Sequence, residues 1–183
     1  KERQEKPVSR KAVTPVYNQI LVQPVHRGIN DIGTWKSALR AADMGLRSKL
    51  YDLYEDILMD GTVTDAIGKR IEAITDCDIN FTVNGKEVPR ITELIDTVEF
   101  ENQLKEIMWS LFWGISVDEY SFVNGFDFNS IPRKHIRPKE KLILRRQYDT
   151  DGISYSDDGM IIQWGEDDDL GLLLKVAPYV IYK

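Results

Sequence analysis

Three groupings of side chains in this chain have types and spacings that can carry chemistry. The first is basic: Arg133, Lys134, Arg137, Lys139, Lys141, Arg145 and Arg146 place seven positive charges in fourteen residues, against Glu140 alone. Such a run binds phosphates and pairs equally well with an acidic protein surface. Aromatic residues interleaved for base stacking are missing from it. Three readings stand, in descending weight: contact with a neighbouring subunit, a solvated face, and contact with DNA. The second grouping is acidic. Glu166, Asp167, Asp168 and Asp169 invite a two-metal nuclease reading, but such sites draw carboxylates from separate elements onto metals a few ångströms apart. Four in a row diverge, so a solvated turn is the better account, with Asp169 placed to cap a following helical turn. Asp149-Thr150-Asp151-Gly152 opens like a calcium loop but lacks the later ligands and the helix-loop-helix frame. Asp and Gly there suit a turn between strands. The third is His135, which with the chain's many Ser and Asp residues makes a Ser-His-Asp triad conceivable. No Gly-x-Ser-x-Gly elbow accompanies it, so it reads as a structural or surface histidine. A glycine-rich phosphate loop is also absent. Cys77 is the single cysteine, and with His26 and His135 alone beside it neither a zinc site nor an internal disulfide is encoded.

These side chains need elements to hold them. The stretch from Met108 to Arg146 organises the chain. Phe100, Leu104, Ile107, Met108, Leu111 and Phe112 recur at helical spacing, and Gly114 stands where a helix ends. The spacing predicts that Leu104, Ile107, Met108 and Leu111 are buried against Leu53, Ile57, Ile67 and Ile71 of earlier helices. Strands Ile115–Val123 and Phe126–Phe128 follow, joined by Asn124-Gly125, the strongest short hairpin signal. Residues 131–138, with prolines near both ends, form a turn, and Leu142–Leu144 a strand.

Upstream, helices are expected over Thr34–Met44 and Leu46–Asp60, the second ended by Gly61. A third is opened by a Thr62/Asp65 variant of the capping box. Tyr51 and Tyr54 belong to the core or an interface rather than a cofactor site. Ile79, Phe81 and Val83 alternate as a half-buried strand before an Asn84-Gly85 turn, and Pro89 starts another helix. Downstream, Ile153 with Tyr155 and Met160–Trp164 form a second hairpin around Asp157-Asp158-Gly159. Leu170–Val176 is apolar until Pro178 interrupts it. Residues 1–33 carry Pro7, Pro15 and Pro24 without helical period and read as an extended arm. Residues 34–183 form one α+β domain: an N-terminal helical cluster packed against small antiparallel β-hairpin sheets.

At 183 residues and 42% hydrophobic, the chain can bury one core. Its net charge of −6 argues against a simple DNA-coating protein. The charge is uneven: residues 1–50 hold ten Lys/Arg and four Asp/Glu, while residues 51–183 hold fourteen and twenty-six. No run of 18 apolar residues marks a transmembrane helix, and Lys1–Arg10 lacks the apolar core of a signal peptide.

Several ordinary motifs in a fixed order are more specific than any one of them. Residues 51–58 (YDLYEDIL), 111–114 (LFWG), 132–138 (PRKHIRP), 148–155 (YDTDGISY) and 169–179 (DLGLLLKVAPY) resemble the portal proteins of Mu-like phages and prophages. The resemblance covers roughly Ile32 to Lys183. It implies a structural, non-enzymatic role in a ring at one capsid vertex, through which DNA is packaged and ejected, and a fold like the wing region of that family. It also implies other copies of the chain, a separate terminase, capsid or head proteins and double-stranded DNA as partners, with no cofactor, metal or membrane. Location would be the virion, and the bacterial host cytoplasm during assembly. Portals are considerably longer than 183 residues and this chain opens at Lys1, so an N-terminal fragment is expected. Two alternatives remain: a metal-dependent nucleic-acid enzyme using the acidic turns, and a free-standing protein-interaction domain.

Overall fold

A computed structural model describes residues 15–22, 32–123 and 126–182. Three helices come first: α1 (Ile32–Asp43), α2 (Ser48–Ile57) and α3 (Gly61–Thr75). The spacing puts Leu50, Leu53, Tyr54, Ile57 and Leu58 on one helix face; the first four are buried, and Leu58, just past the end of α2, is half-buried. Gly61 does not end that helix. It opens α3, because Asp60 is the cap and its Oδ1 accepts the Thr62 N–H at 2.9 Å.

Strands β1 (Thr82–Val83) and β2 (Lys86–Glu87) close on Asn84-Gly85, whose φ angles of 52° and 74° are both positive, as a type I′ turn demands. The expectation of a half-buried strand fails here. Only two residues pair on each side, and Ile79, Phe81 and Val83 are exposed, since so small a ribbon has no second layer to cover it. Next come α4 (Pro89–Ile95), begun by Pro89, and α5 (Val98–Trp113). Gly114 ends α5 at φ 85°.

The predicted α5 face needs correction. Leu53, Ile57, Ile67 and Ile71 are buried, but Leu104, Ile107 and Met108 are only half-buried and Leu111 is 52% exposed. The buried α5 residues are Gln103, Ser110, Phe112 and Trp113 instead, and Gln103 and half-buried Glu106 bond to Asp118 and Ser116 of the sheet. Hydrogen bonds to Asp118 and Ser116 and an ion pair to Arg133 hold α5 in that rotation, and hydrophobic period alone does not reveal it.

Two three-stranded antiparallel sheets follow. In one, β3 (Ser116–Ser121) lies between β4 (Asp127–Ser130) and a strand from further along the chain. In the other, β6 (Leu142–Leu144) lies between β5 (Ile136–Arg137) and β7 (Gly152–Ser154). The first sheet is completed by β8 (Ile161–Trp164). The turn at Asn124-Gly125 lies outside the described residues, though the strands flanking it are paired, Ser121 against Asp127. The second predicted hairpin does not form: β7 joins β6, and β8 crosses to the other sheet because β3 offers it an open edge.

The chain closes with α6 (Leu173–Ile181). Pro178 does not interrupt it. Proline there removes only the donor to the Leu174 carbonyl, and burial of Leu173 and Ala177 carries the helix onward. Ahead of α6 the chain crosses the end of α5 at backbone contact. A Cβ on Gly171 would lie 2.2 Å from the Phe112 carbonyl oxygen, so only glycine fits. The core runs from α2 through the end of α5 to α6. Tyr51, Tyr54 and Trp113 form a cluster with ring centroids 5.7–6.1 Å apart, and the Tyr54 hydroxyl donates to the Leu170 carbonyl at 2.6 Å. Together the helical cluster and small sheets make the α+β fold expected.

Part of the predicted arm lies on this body. Val16 is buried, and the Val16 and Tyr17 N–H groups both donate to the Glu119 carboxylate at 2.8 Å. The Leu21 N–H donates to the Arg145 carbonyl at 2.9 Å. Residues 1–14 and 23–31 of the arm lie outside the described residues. No helix among the described residues is long and apolar enough to cross a membrane.

Candidate interaction surface

The basic run is built on a short helical turn, Arg133–His135, and the hairpin of β5 and β6. Pro132 fixes its entry, and the His135 N–H closes the turn on the Pro132 carbonyl at 2.8 Å. His135 is buried, with Nδ1 3.0 Å from the Leu144 carbonyl oxygen. Burial lowers its pKa, against the pull of that carbonyl. A buried neutral imidazole tied to backbone is a strut between turn and strand, not a base beside a nucleophile.

Five of the seven cations find carboxylates in their own chain. Arg133 reaches Glu106 of α5 at 2.7 Å and also donates to Ser116 Oγ and the Ile115 carbonyl, with its guanidinium 5.2 Å from the Trp113 ring centre. Lys134 sits between Asp52 at 2.6 Å and Glu55 at 2.8 Å, both on α2. Burial disfavours its ammonium, but the two carboxylates outweigh that and raise its pKa. Arg137 pairs with Glu140 at 3.4 Å and donates to the Asp149 carbonyl at 2.8 Å. Lys139 meets Asp168 at 2.8 Å and Lys141 meets Asp167 at 2.5 Å. Arg145 and Arg146 differ. Both are exposed, and neither side chain has an ion pair among the described residues.

The acidic turn is therefore the counterpart of the basic hairpin. Asp167 also accepts from Gln163, and that hydrogen bond, with the one from Lys141, holds its carboxyl below the usual range. Asp169 accepts the Gly171 N–H at 2.8 Å, two residues ahead of α6, and does not serve as that helix's cap. In the would-be calcium loop, Asp149 accepts the Arg146 N–H at 3.0 Å, closing a turn. Among the described residues no group of three or more His, Cys, Asp or Glu is arranged to hold a metal ion.

Sequence reasoning missed a polar seam between α5 and the first sheet. Asp118 is fully buried on β3, accepting from Gln103 at 2.9 Å and from Ser130 at 2.6 Å. Burial raises its pKa, against those two hydrogen bonds. One signal was legible: along β3, Asp118 is in phase with Tyr120, which places a carboxylate on a packed face. Arg47 was also missed. It is buried at the start of α2 and donates to the Asp167 carbonyl, 120 residues away in sequence.

This arrangement defines an α+β domain whose polar groups join its elements to one another, with Arg145 and Arg146 exposed and without an ion pair among the described residues. Residues 51–183 match the family described as the portal protein of Mu bacteriophage, and the chain belongs to that family. No curated protein and no solved structure matches it.

Proposed function

We propose that the chain is a structural subunit of a phage portal, the ring at a capsid vertex through which DNA is packaged and ejected. The family match over residues 51–183 carries this reading. Its partners are further copies of itself, head proteins, a terminase that supplies the ATPase, and the DNA in the channel. Its place is the virion, assembled in the bacterial host cytoplasm. The chain makes and breaks no bonds in this role. In support, His135 and the acidic turn are committed to internal contacts. Of the basic run, Arg145 and Arg146 are the residues free to touch a neighbouring subunit, since the other five are held internally.

Electron microscopy of the full-length protein tests the reading. Closed rings with a central channel are expected, and a protein that stays monomeric at micromolar concentration would overturn it. Metal-dependent DNA hydrolysis lost on Asp168→Ala would favour the enzymatic alternative.

A further inference from the structure

The long helix separates two surfaces of opposite character. At its Trp113 end, an apolar groove of about 390 Å³ opens beside the start of α2. Leu46, Ile136 and Leu144 give it apolar walls, and Tyr148 flanks them. Arg47, Lys49, Lys134 and Arg137 also line it, with no carboxylate among the lining residues. Lys134 and Arg137 are compensated from outside the groove by Asp52, Glu55 and Glu140. Lys49 is exposed with no ion pair among the described residues, as are Arg145 and Arg146 just beyond Leu144. None of these three cations has an ion pair among the described residues, although Asp151 lines the adjoining cavity with Arg145 and Asp149 accepts the Arg146 N–H.

At the other end of α5 stands Val98, 67% exposed on the first residue of the helix. Asp96 and Glu99 flank it, both exposed. Asp76, Asp78 and Glu101 line the adjoining cleft, again without Lys or Arg among its lining residues. At 1.5 Å per residue the helix places this edge about 22 Å from Trp113. Trp113 packs on Tyr51, one turn along α2 from the groove-lining Ser48.

We propose that the groove receives the Asp96–Glu99 edge of a second copy of this chain, with Val98 against the apolar walls and the two carboxylates at Lys49 and Arg145. Charge complementarity names the occupant. The groove needs an exposed apolar side chain flanked by carboxylates without an ion pair among the described residues, and Val98 between Asp96 and Glu99 has that composition, while Glu101 of the adjoining cleft is paired with Lys105. The two surfaces lie at opposite ends of one helix, so each copy offers its groove to one neighbour and its acidic edge to another. That is a heterologous, head-to-tail contact, which closes into a ring or propagates as a filament. The inference rests on the portal reading and specifies the contact between its subunits.

Charge exchange in the full-length protein tests it, read by analytical ultracentrifugation at low and at physiological salt. Lys49→Glu with Arg145→Glu should lower the association constant at least tenfold at low salt, and so should Asp96→Lys with Glu99→Lys. All four are exposed positions, and circular dichroism checks that each variant folds. Mixing the two variants matches reversed groove to reversed edge and native groove to native edge, so alternating co-assembly is expected where neither variant assembles alone. All four changes in one chain should restore assembly. If wild type assembles and the variants assemble equally well, or the fourfold variant does no better than either pair, the groove contact is wrong while the ring reading stands. If wild type does not assemble, both fall.

Discussion

The two ends of the basic run have the same composition and opposite lives. From Arg133 to Lys141, each cation is tied to a carboxylate of the same chain, two on α2, one on α5, one inside the hairpin and two in the acidic turn. Arg145 and Arg146 stand exposed a few residues further on. Charge density along a sequence cannot separate them, because what differs is which other elements arrive nearby. The first group clamps the sheets to the helices. The second has no ion pair among the described residues.

Arg133→Ala should produce the largest loss in this series, about 2–3 kcal/mol by urea denaturation. It strands Glu106, only a quarter exposed, and removes the donors to Ser116 and Ile115. Arg133→Lys should not rescue it, because an ammonium cannot reproduce the guanidinium fork. A loss no greater than that of Arg146→Ala would break the comparison between the two ends.

Lys134→Ala comes next, at about 1–2 kcal/mol, since Asp52 and Glu55 are left facing each other one turn apart on α2. The pH dependence has a definite sign. Because the folded-state pKa is raised above 10.5, the contribution is complete below that value and lost as pH climbs through the folded pKa. Wild type and Lys134→Ala should therefore converge in stability only in strongly alkaline solution. Convergence near neutrality would show that the pair contributes nothing.

Lys141→Ala and Lys139→Ala should cost less, up to about 1 kcal/mol for the first and under about 0.5 kcal/mol for the second. The pairs are progressively more exposed: 34% and 39% for Lys141 and Asp167, then 47% and 81% for Lys139 and Asp168. The Asp167 pKa is depressed first by the Gln163 hydrogen bond and then by Lys141, so its contribution is present above pH 3.8 and lost on acidification, a trend reduced but not abolished in Lys141→Ala. Equal losses for the two lysines would mean that burial does not grade the hairpin.

Much of the fold was legible because local signals and tertiary packing agree. The α2 stripe, Pro89 at a helix start, Gly114 at a helix end and the Asn84-Gly85 turn all appear where the residues put them. What escaped was decided at long range. Nothing near Ile161 in sequence says that β8 will leave β7 and add to β3. Nothing near Leu111 says that Gln103 and Glu106 will rotate α5 toward buried Asp118 and Arg133. The same holds for the candidate surface. The seven cations were identified from sequence, but their division into held and free depends on carboxylates up to 82 positions away, as for Lys134 and Asp52.

Arg145→Ala and Arg146→Ala should have the smallest effect on stability, within about 0.5 kcal/mol, because each removes an exposed side chain without an ion pair among the described residues. The backbone bond from Leu21 to the Arg145 carbonyl survives either change. Their effect belongs to assembly. In the full-length protein the double variant should weaken ring formation at low salt, and the difference from wild type should shrink at 1 M salt, where screening extends to about 3 Å. Arg133 is unsuited to that experiment, since altering it disrupts the seam with α5 before any neighbour is involved. Normal rings with reduced DNA retention would assign the two arginines to the channel instead, through phosphate contacts that weaken steeply with salt. No change in either would make them solvated surface, and the distinction between the two ends of the run would then be one of packing alone.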